Sequence, residues 1–249
     1  GNTARIILDN CRRWGFRGPI VGINPQAADN ARDDLDIRAS ATDLPFPPDL
    51  AVLLIPARHV PAAVEDCGRA GIRRLAIQAG GFNESSEAGR RLAEEVRAAA
   101  RRHTIRFVGP NGLALADTAS GLCLPFVPAL PVRPGSFSFI SQSGGLGLFL
   151  WNLLESEQLG LARFASIGNR LDLDEVDFLD YLGADPATRV IGLYLESITD
   201  GRRLIEAAAR AGKPVIVYKA NTTDGGGRAA MSHTASLGGD DRVVDAAFA

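Results

Sequence analysis

A chain of 249 residues has room for one large or two small domains. Its 27 basic and 29 acidic residues nearly cancel, so no basic face for nucleic acid is implied, and no apolar run is long enough to span a membrane. Cys11, Cys67 and Cys123 are odd in number and far apart. They suit neither a disulfide framework nor a metal site, and read as small buried apolar residues of a cytoplasmic chain; the first residues also lack a signal-peptide pattern.

In chain order, Thr3–Trp14 has helical spacing, with Ile6, Ile7, Cys11 and Trp14 recurring at threes and fours. Pro19–Pro25 reads as a strand ending in a turn, and Asp49–Pro56 as a fully buried parallel strand bounded by proline. A helix is expected over 59–70, a strand over Arg74–Gly81, a polar-faced helix over Glu84–Arg102 and a short strand over Ile105–Asn111. The proline-punctuated stretch 112–135 reads as a linker or a strand pair interrupted by turns. The domain boundary is placed in it, giving domains over 1–127 and 128–249.

The second series begins with strand Ser136–Ile140 and a helix through Trp151 and Leu154. A strand from Arg163 to Ile167, a helix over 174–183, strand Val190–Glu196, helix Asp200–Ala211 and strand Lys213–Lys219 follow. Asp240–Ala249 reads as the start of a helix without a cap, so the natural chain is expected to continue there. Alternating strands and helices predict an α/β fold of parallel sheets with helices on both faces. The first unit opens on a helix where such a unit normally opens on a strand and a glycine turn. A strand and most of that turn are therefore expected before Gly1.

Ligands of open α/β sheets bind beyond the carboxyl ends of the strands. That rule selects Asn24, Pro56, Gly80, Asn111, Ser141–Gly145, Gly168–Asn169, Glu196 and the loop after Lys219. Ser141-Gln142-Ser143-Gly144-Gly145 joins a strand to a helix with small residues, which suits either a phosphate site at a helix N-terminus or an ordinary cap by Ser143. Glu196, at the end of an apolar strand, reads either as a partner for an imidazole or as a solvated strand-end charge. The loop 225–239 offers His233 among Ser232, Thr234 and Ala235, between glycines that let it swing. An imidazole can serve as base or nucleophile near neutral pH, so His233 is the candidate for carrying a group between two sites. His59 and His103 are assigned to helix ends and not to catalysis.

Taken together, these stretches resemble the α-subunit portion of NDP-forming acyl-CoA synthetases, relatives of succinyl-CoA synthetase. The resemblance rests on Val21-Gly-Ile-Asn-Pro25, Asp49-Leu-Ala-Val, Ile55-Pro56, Gly80-Gly81-Phe82, Gly109-Pro110-Asn111, Ser141-Gln-Ser-Gly144, Ser166-Ile-Gly-Asn169, Tyr194-Leu-Glu196 and Ser232-His-Thr234. In order they cover almost the whole chain.

The resemblance implies a CoA-binding Rossmann-like domain followed by a flavodoxin-like one. It implies reversible formation of acyl-CoA from a carboxylic acid, CoA and ATP, with an acyl phosphate and a phosphohistidine at His233 as intermediates. On that pattern Glu196 supports the histidine, Ser141, Gln142, Ser143 and Gly144 hold phosphate, and Asn24, Pro25, Ile55, Pro56, Gly80 and Asn111 line the CoA cleft. ATP, ADP and Mg²⁺ would belong to an ATP-grasp β subunit or fused domain, in an oligomeric assembly. The chain departs from the pattern at Gly112, where relatives often carry cysteine, and at Ala235, where glycine is common. A second reading is the inactive ligase-like regulatory domain of a protein lysine acetyltransferase. A dinucleotide enzyme is disfavoured, because no complete Gly-x-Gly-x-x-Gly with a downstream acid is present.

Overall fold

The computed structural model describes residues 3–26, 35–82 and 86–220. The histidine loop with His233, and the expected helix over 240–249, lie outside the described residues. Helix α1 (Thr3–Arg13) leads to strands β1 (Val21–Ile23) and β2 (Asp36–Arg38), which pair in parallel with each other as a separate sheet. Strands β3 (Ala51–Leu53), β4 (Arg74–Ile77) and β5 (Arg106–Val108) form a second parallel sheet, joined by α2 (Val60–Arg69) and α3 (Glu87–Arg102). The short polar strand β2 had no signal in the sequence: Asp36-Ile-Arg38 carries one apolar residue, and its side chains are exposed or half-buried.

The remaining strands are β6 (Ala114–Asp117), β7 (Leu122–Cys123), β8 (Pro134–Ser141), β9 (Leu161–Ser166), β10 (Val190–Leu195) and β11 (Val215–Lys219). They make one sheet in the order β11-β10-β8-β9-β6-β7. Its first four members run parallel, while β6 and β7 add to β9 as an antiparallel edge. The stretch 112–135 is thus the strand pair and not the bare linker. A cut between 127 and 128 would leave β6 and β7 with the first unit although they pair into the second sheet. Helix α4 (Gly144–Ser156) covers one face, and α5 (Glu175–Ala184) and α6 (Gly201–Ala211) cover the other.

Sequence explains where these helices begin. Ser143 accepts from the Leu146 amide, and Asp200 from the Arg203 amide. Asp174 forms a capping box with Asp177 at the start of α5. Such side chains take N–H groups that have no carbonyl four residues back. Gly212 ends α6 in the left-handed region, where glycine has no Cβ to clash.

Three apolar cores form among the described residues. Val60, Val64 and Cys67 of α2 and Val96 and Ala99 of α3 bury one face of the β3–β5 sheet. Trp151 of α4 packs with Phe139, Phe164 and Leu161, and its ring lies 4.9 Å from that of Trp14. The third core runs across both units: Ala76 and Val108 of the first join Ile140, Leu179, Ile191 and Leu193 of the second. Polar stitches follow the same seam. The buried Gln78 amide donates to the carbonyls of Leu113 and Leu124, at 3.2 and 2.7 Å. Buried Asn10 of α1 donates to the carbonyls of Pro125 and Val127 and accepts from the Ala129 amide. All three cysteines are free and buried, as their spacing predicts, and burial pushes the Cys67 thiol up to about 11.

Candidate active site at the carboxyl ends of the strands

Each selected residue within the described range sits just beyond a strand or at its last position. Ile55 and Pro56 follow β3, Gly80 follows β4 and Asn111 follows β5. Hydrogen bonds tie these ends together: Gln78 N–H donates to Leu53 O and Asn111 N–H to Ala79 O, at 3.0 and 2.9 Å. Ile55 is exposed, which suits a cleft wall more than a core. Asn24 and Pro25 follow β1, on the separate strand pair; Asn24 N–H donates to Arg38 O, and its side-chain oxygen accepts from the Gln26 amide. His103 meets Glu65 at 2.7 Å, joining α3 to α2 away from these strand ends.

The loops after β5 and β9 meet closely. Asn111 Nδ2 donates to Asn169 Oδ1, and Asn169 N–H to Pro110 O. Gly168 has φ +54, and a Cβ there would lie 2.1 Å from Pro110 O. At Gly112 a Cβ would lie 2.6 Å from Ser166 O, which accounts for glycine at that position in this chain.

The turn from β8 into α4 divides its groups between internal and outward duties. The Ser141 hydroxyl is buried and donates to Ser143 O at 2.6 Å. Gln142 N–H donates to Tyr194 O. Gln142 Oε1 accepts from the amides of Glu196 and Ser197, at 2.9 and 3.2 Å. The side chains of Ser141 and Gln142 are thus engaged within the fold. Gly144 and Gly145 lie in the first turn of α4, where a helix offers no internal acceptor for their N–H groups. A Cβ at Gly145 would meet nothing nearer than Ser143 Oγ, 4.0 Å away, whereas one at Gly144 would crowd the Leu113 side chain at 3.2 Å.

Glu196 stands one residue beyond β10, half-buried. Its charge is close enough to Tyr194 to help raise that phenol, after burial and ahead of Tyr218. Three neighbours missed by sequence reasoning complete the surroundings. Arg170 holds Glu175 with Nη1 at 2.9 Å from both carboxylate oxygens. The same guanidinium donates to Ser197 O at 3.1 Å and Ser197 Oγ at 2.7 Å. Arg170 has φ +54, a left-handed conformation that disfavours a residue with a Cβ by about 1–2 kcal/mol. Arginine, serine and glutamate in loops and caps carry no periodic signal; only the odd placement of Arg170 just past Gly168-Asn169 hinted at a role. Among the described residues no cluster of His, Cys, Asp and Glu is built to hold a metal ion.

Parallel sheets with glycine-bearing loops after their strands, and the N-terminus of α4 directly after β8, define an α/β protein of two units. Residues 1–117 match the CoA binding domain family, and residues 134–249 match the succinyl-CoA ligase like flavodoxin domain. The α subunit of ADP-forming acetate–CoA ligase I from Pyrococcus furiosus is 36% identical over 255 residues, covering 100% of this chain and 54% of the relative. ADP-forming acetate–CoA ligase II of Archaeoglobus fulgidus is 34% identical, covering 99% of this chain and 37% of that protein. The dinucleotide-forming acetyl-coenzyme A synthetase 1 of Candidatus Korarchaeum cryptofilum, solved with phosphate and ADP, superposes with a TM-score of 0.91 at 37% identity. That match covers 99% of this chain and 53% of the solved one. The chain therefore carries a CoA binding domain followed by a succinyl-CoA ligase like flavodoxin domain, and it is similar to the α-subunit portion of ADP-forming acetate–CoA ligases. It spans about half the length of the P. furiosus relative.

Proposed function

We propose that the protein is the α portion of an ADP-forming acid–CoA ligase that makes acyl-CoA reversibly from a carboxylic acid, CoA and ATP. The observation that supports this reading is that the N-terminus of α4 at Gly144 and Gly145 follows β8, while Glu196 follows β10, the neighbouring strand of the same sheet. A phosphoryl group and the imidazole that carries it need such a donor and acceptor side by side.

In this reading His233 takes the γ-phosphoryl group of ATP, and ADP leaves. Glu196 orients the imidazole and offsets its positive charge. Ser143 and Gly144 hold the phosphoryl oxygens, while Ser141 and Gln142 shape the turn from within. A substrate carboxylate oxygen then takes the phosphoryl group, freeing His233 and leaving an acyl phosphate. The CoA sulfur attacks the acyl carbon and expels phosphate. Asn24, Pro25, Ile55, Pro56, Gly80 and Asn111 are the proposed wall of the CoA cleft. Gly81 supports this: at φ +99 it brings the β4 loop against Ala57, where a Cβ would already be in contact at 3.4 Å.

The nucleotide site and its Mg²⁺ are assigned to an ATP-grasp β subunit or fused domain, consistent with the share of the relatives that this chain spans. We divide the chain into two domains near residues 127 and 128, with β6 and β7 of the first lending an antiparallel edge to the sheet of the second. A cytoplasmic location is supported by three free buried thiols, and no described helix is long and apolar enough to cross a membrane. The regulatory reading has no support among the relatives reported above, which are ligases by name.

The test is turnover. The full protein with its ATP-grasp part should release at most about one equivalent of ADP per site with ATP alone and turn over repeatedly to ADP, phosphate and acyl-CoA only when CoA and a suitable carboxylic acid are both supplied, and His233→Ala should abolish acyl-CoA formation. Full turnover by His233→Ala would refute the reading.

A further inference from the structure

Glu196 and Ser197 share an unusual set of partners. All four of their backbone polar groups are taken by side chains, and those side chains come from three different strand ends. Gln142, just past β8, accepts both N–H groups through Oε1 at 2.9 and 3.2 Å. Lys219, the last residue of β11, donates Nζ to Glu196 O at 2.9 Å. Arg170, in the loop after β9, donates to Ser197 O at 3.1 Å and is itself anchored on Glu175. Strands β8 and β11 flank β10 on either side, so the brace spans the sheet across the end that carries the carboxylate. A strand end ordinarily spends such groups on the ladder or on water. Here they are fixed by long, partly buried side chains, two of them cationic.

We propose that Gln142, Lys219 and Arg170 are positioning residues that hold the Glu196 carboxylate in register for the phosphohistidine step. This rests on the phosphohistidine reading above. The carboxylate is useful only if it lies within hydrogen-bond reach of the imidazole when the phosphoryl group docks on the α4 N-terminus. The Gln142 peptide is part of that same turn. One side chain therefore sets the distance between the phosphoryl-holding amides and the carboxylate, and Lys219 and Arg170 stop the 196–197 segment from tilting. A misplacement of about 1 Å is enough to lower a transfer rate on the order of 100-fold.

The experiment uses the full protein with its ATP-grasp part and reads three quantities: the rate of label transfer from γ-labelled ATP to His233, its pH profile, and CoA affinity. Gln142→Leu removes the acceptor; Gln142→Glu keeps an oxygen for both amides; Lys219→Met removes the donor to Glu196 O. The expected result is a loss of label transfer of about tenfold or more in Gln142→Leu and Lys219→Met, with an altered pH profile and unchanged CoA affinity. Gln142→Glu should recover most of the rate. If Gln142→Leu does not fold, Gln142→Glu and Lys219→Met carry the test. Transfer at the parent rate and pH profile in Lys219→Met, or Gln142→Glu as impaired as Lys219→Met, would overturn the brace. Absence of label in the parent protein, with ATP shown to bind, would instead overturn the reading on which the brace rests.

Discussion

Arg170 and Glu175 form a two-pronged ion pair that is almost wholly out of water, their side chains 11% and 5% exposed. Glu175 opens α5, and Arg170 sits in the left-handed turn after β9, so the pair fastens a helix start to the loop beside Glu196. Buried charges of this kind are costly to strand. Arg170→Met should lower stability by about 3–5 kcal/mol, because Glu175 would remain buried without its partner. The double variant Arg170→Met with Glu175→Leu should recover much of that loss while label transfer to His233 stays impaired. Urea unfolding of the parent and the two variants checks the first statement. A single variant as stable as the parent would contradict it.

Asn10 carries a separate prediction. Its amide satisfies two carbonyls and one N–H of the 125–129 segment from a position 1% exposed. Asn10→Leu should destabilise by about 1–3 kcal/mol for each buried group left unpaired. The change would be read as a lower denaturant midpoint. Asn10→Asp would keep one acceptor and set a charge against two carbonyls, so it should be worse than leucine.

The contrast between Asn10 and its helix shows what the sequence could reveal. The periodic apolar face of α1 is visible in Ile7, Cys11 and Trp14, which pack as their spacing predicts. Asn10 breaks no pattern and looks like one more polar residue, yet it is the residue that docks the helix. Apart from β2, the strands of the parallel sheets were legible because runs such as Val190–Leu195 are nearly continuous apolar segments between turn residues. Strands β6 and β7 were legible only as one of two readings of 112–135, because Ala114–Asp117 and Leu122–Cys123 are short edge pieces with mixed faces. The same divide holds at the site. Ser143, Gly144 and Glu196 announce themselves by place, at a strand end or a helix start. Arg170, Ser197 and the inward duty of Gln142 depend on contacts 27 or more residues apart in sequence. No local spacing encodes those.

Acid sensitivity should centre partly on Asp185. Burial raises its carboxyl, but hydrogen bonds from Thr188 and the Ala187 amide, with the charges of Arg163 and Lys213, outweigh that and hold it below its ordinary value. A folded-state value below the unfolded one means that this group stabilises the protein above the unfolded carboxylate range, about pH 4. That contribution is lost as the pH falls through the lower folded value. Asp185→Asn should therefore flatten the acid limb of a stability–pH curve while lowering stability near neutrality. An unchanged acid limb would contradict the assignment.

The central claim is that His233 carries the phosphoryl group between the nucleotide and the acyl substrate. The most direct measurement is to incubate the full protein, with its ATP-grasp part and Mg²⁺, with γ-phosphate-labelled ATP, and to map the label. The account predicts alkali-stable, acid-labile label on His233, discharged by ADP or by carboxylic acid with CoA, and absent in His233→Ala. No label on the protein while ATP is bound, or label that persists in His233→Ala, would contradict it.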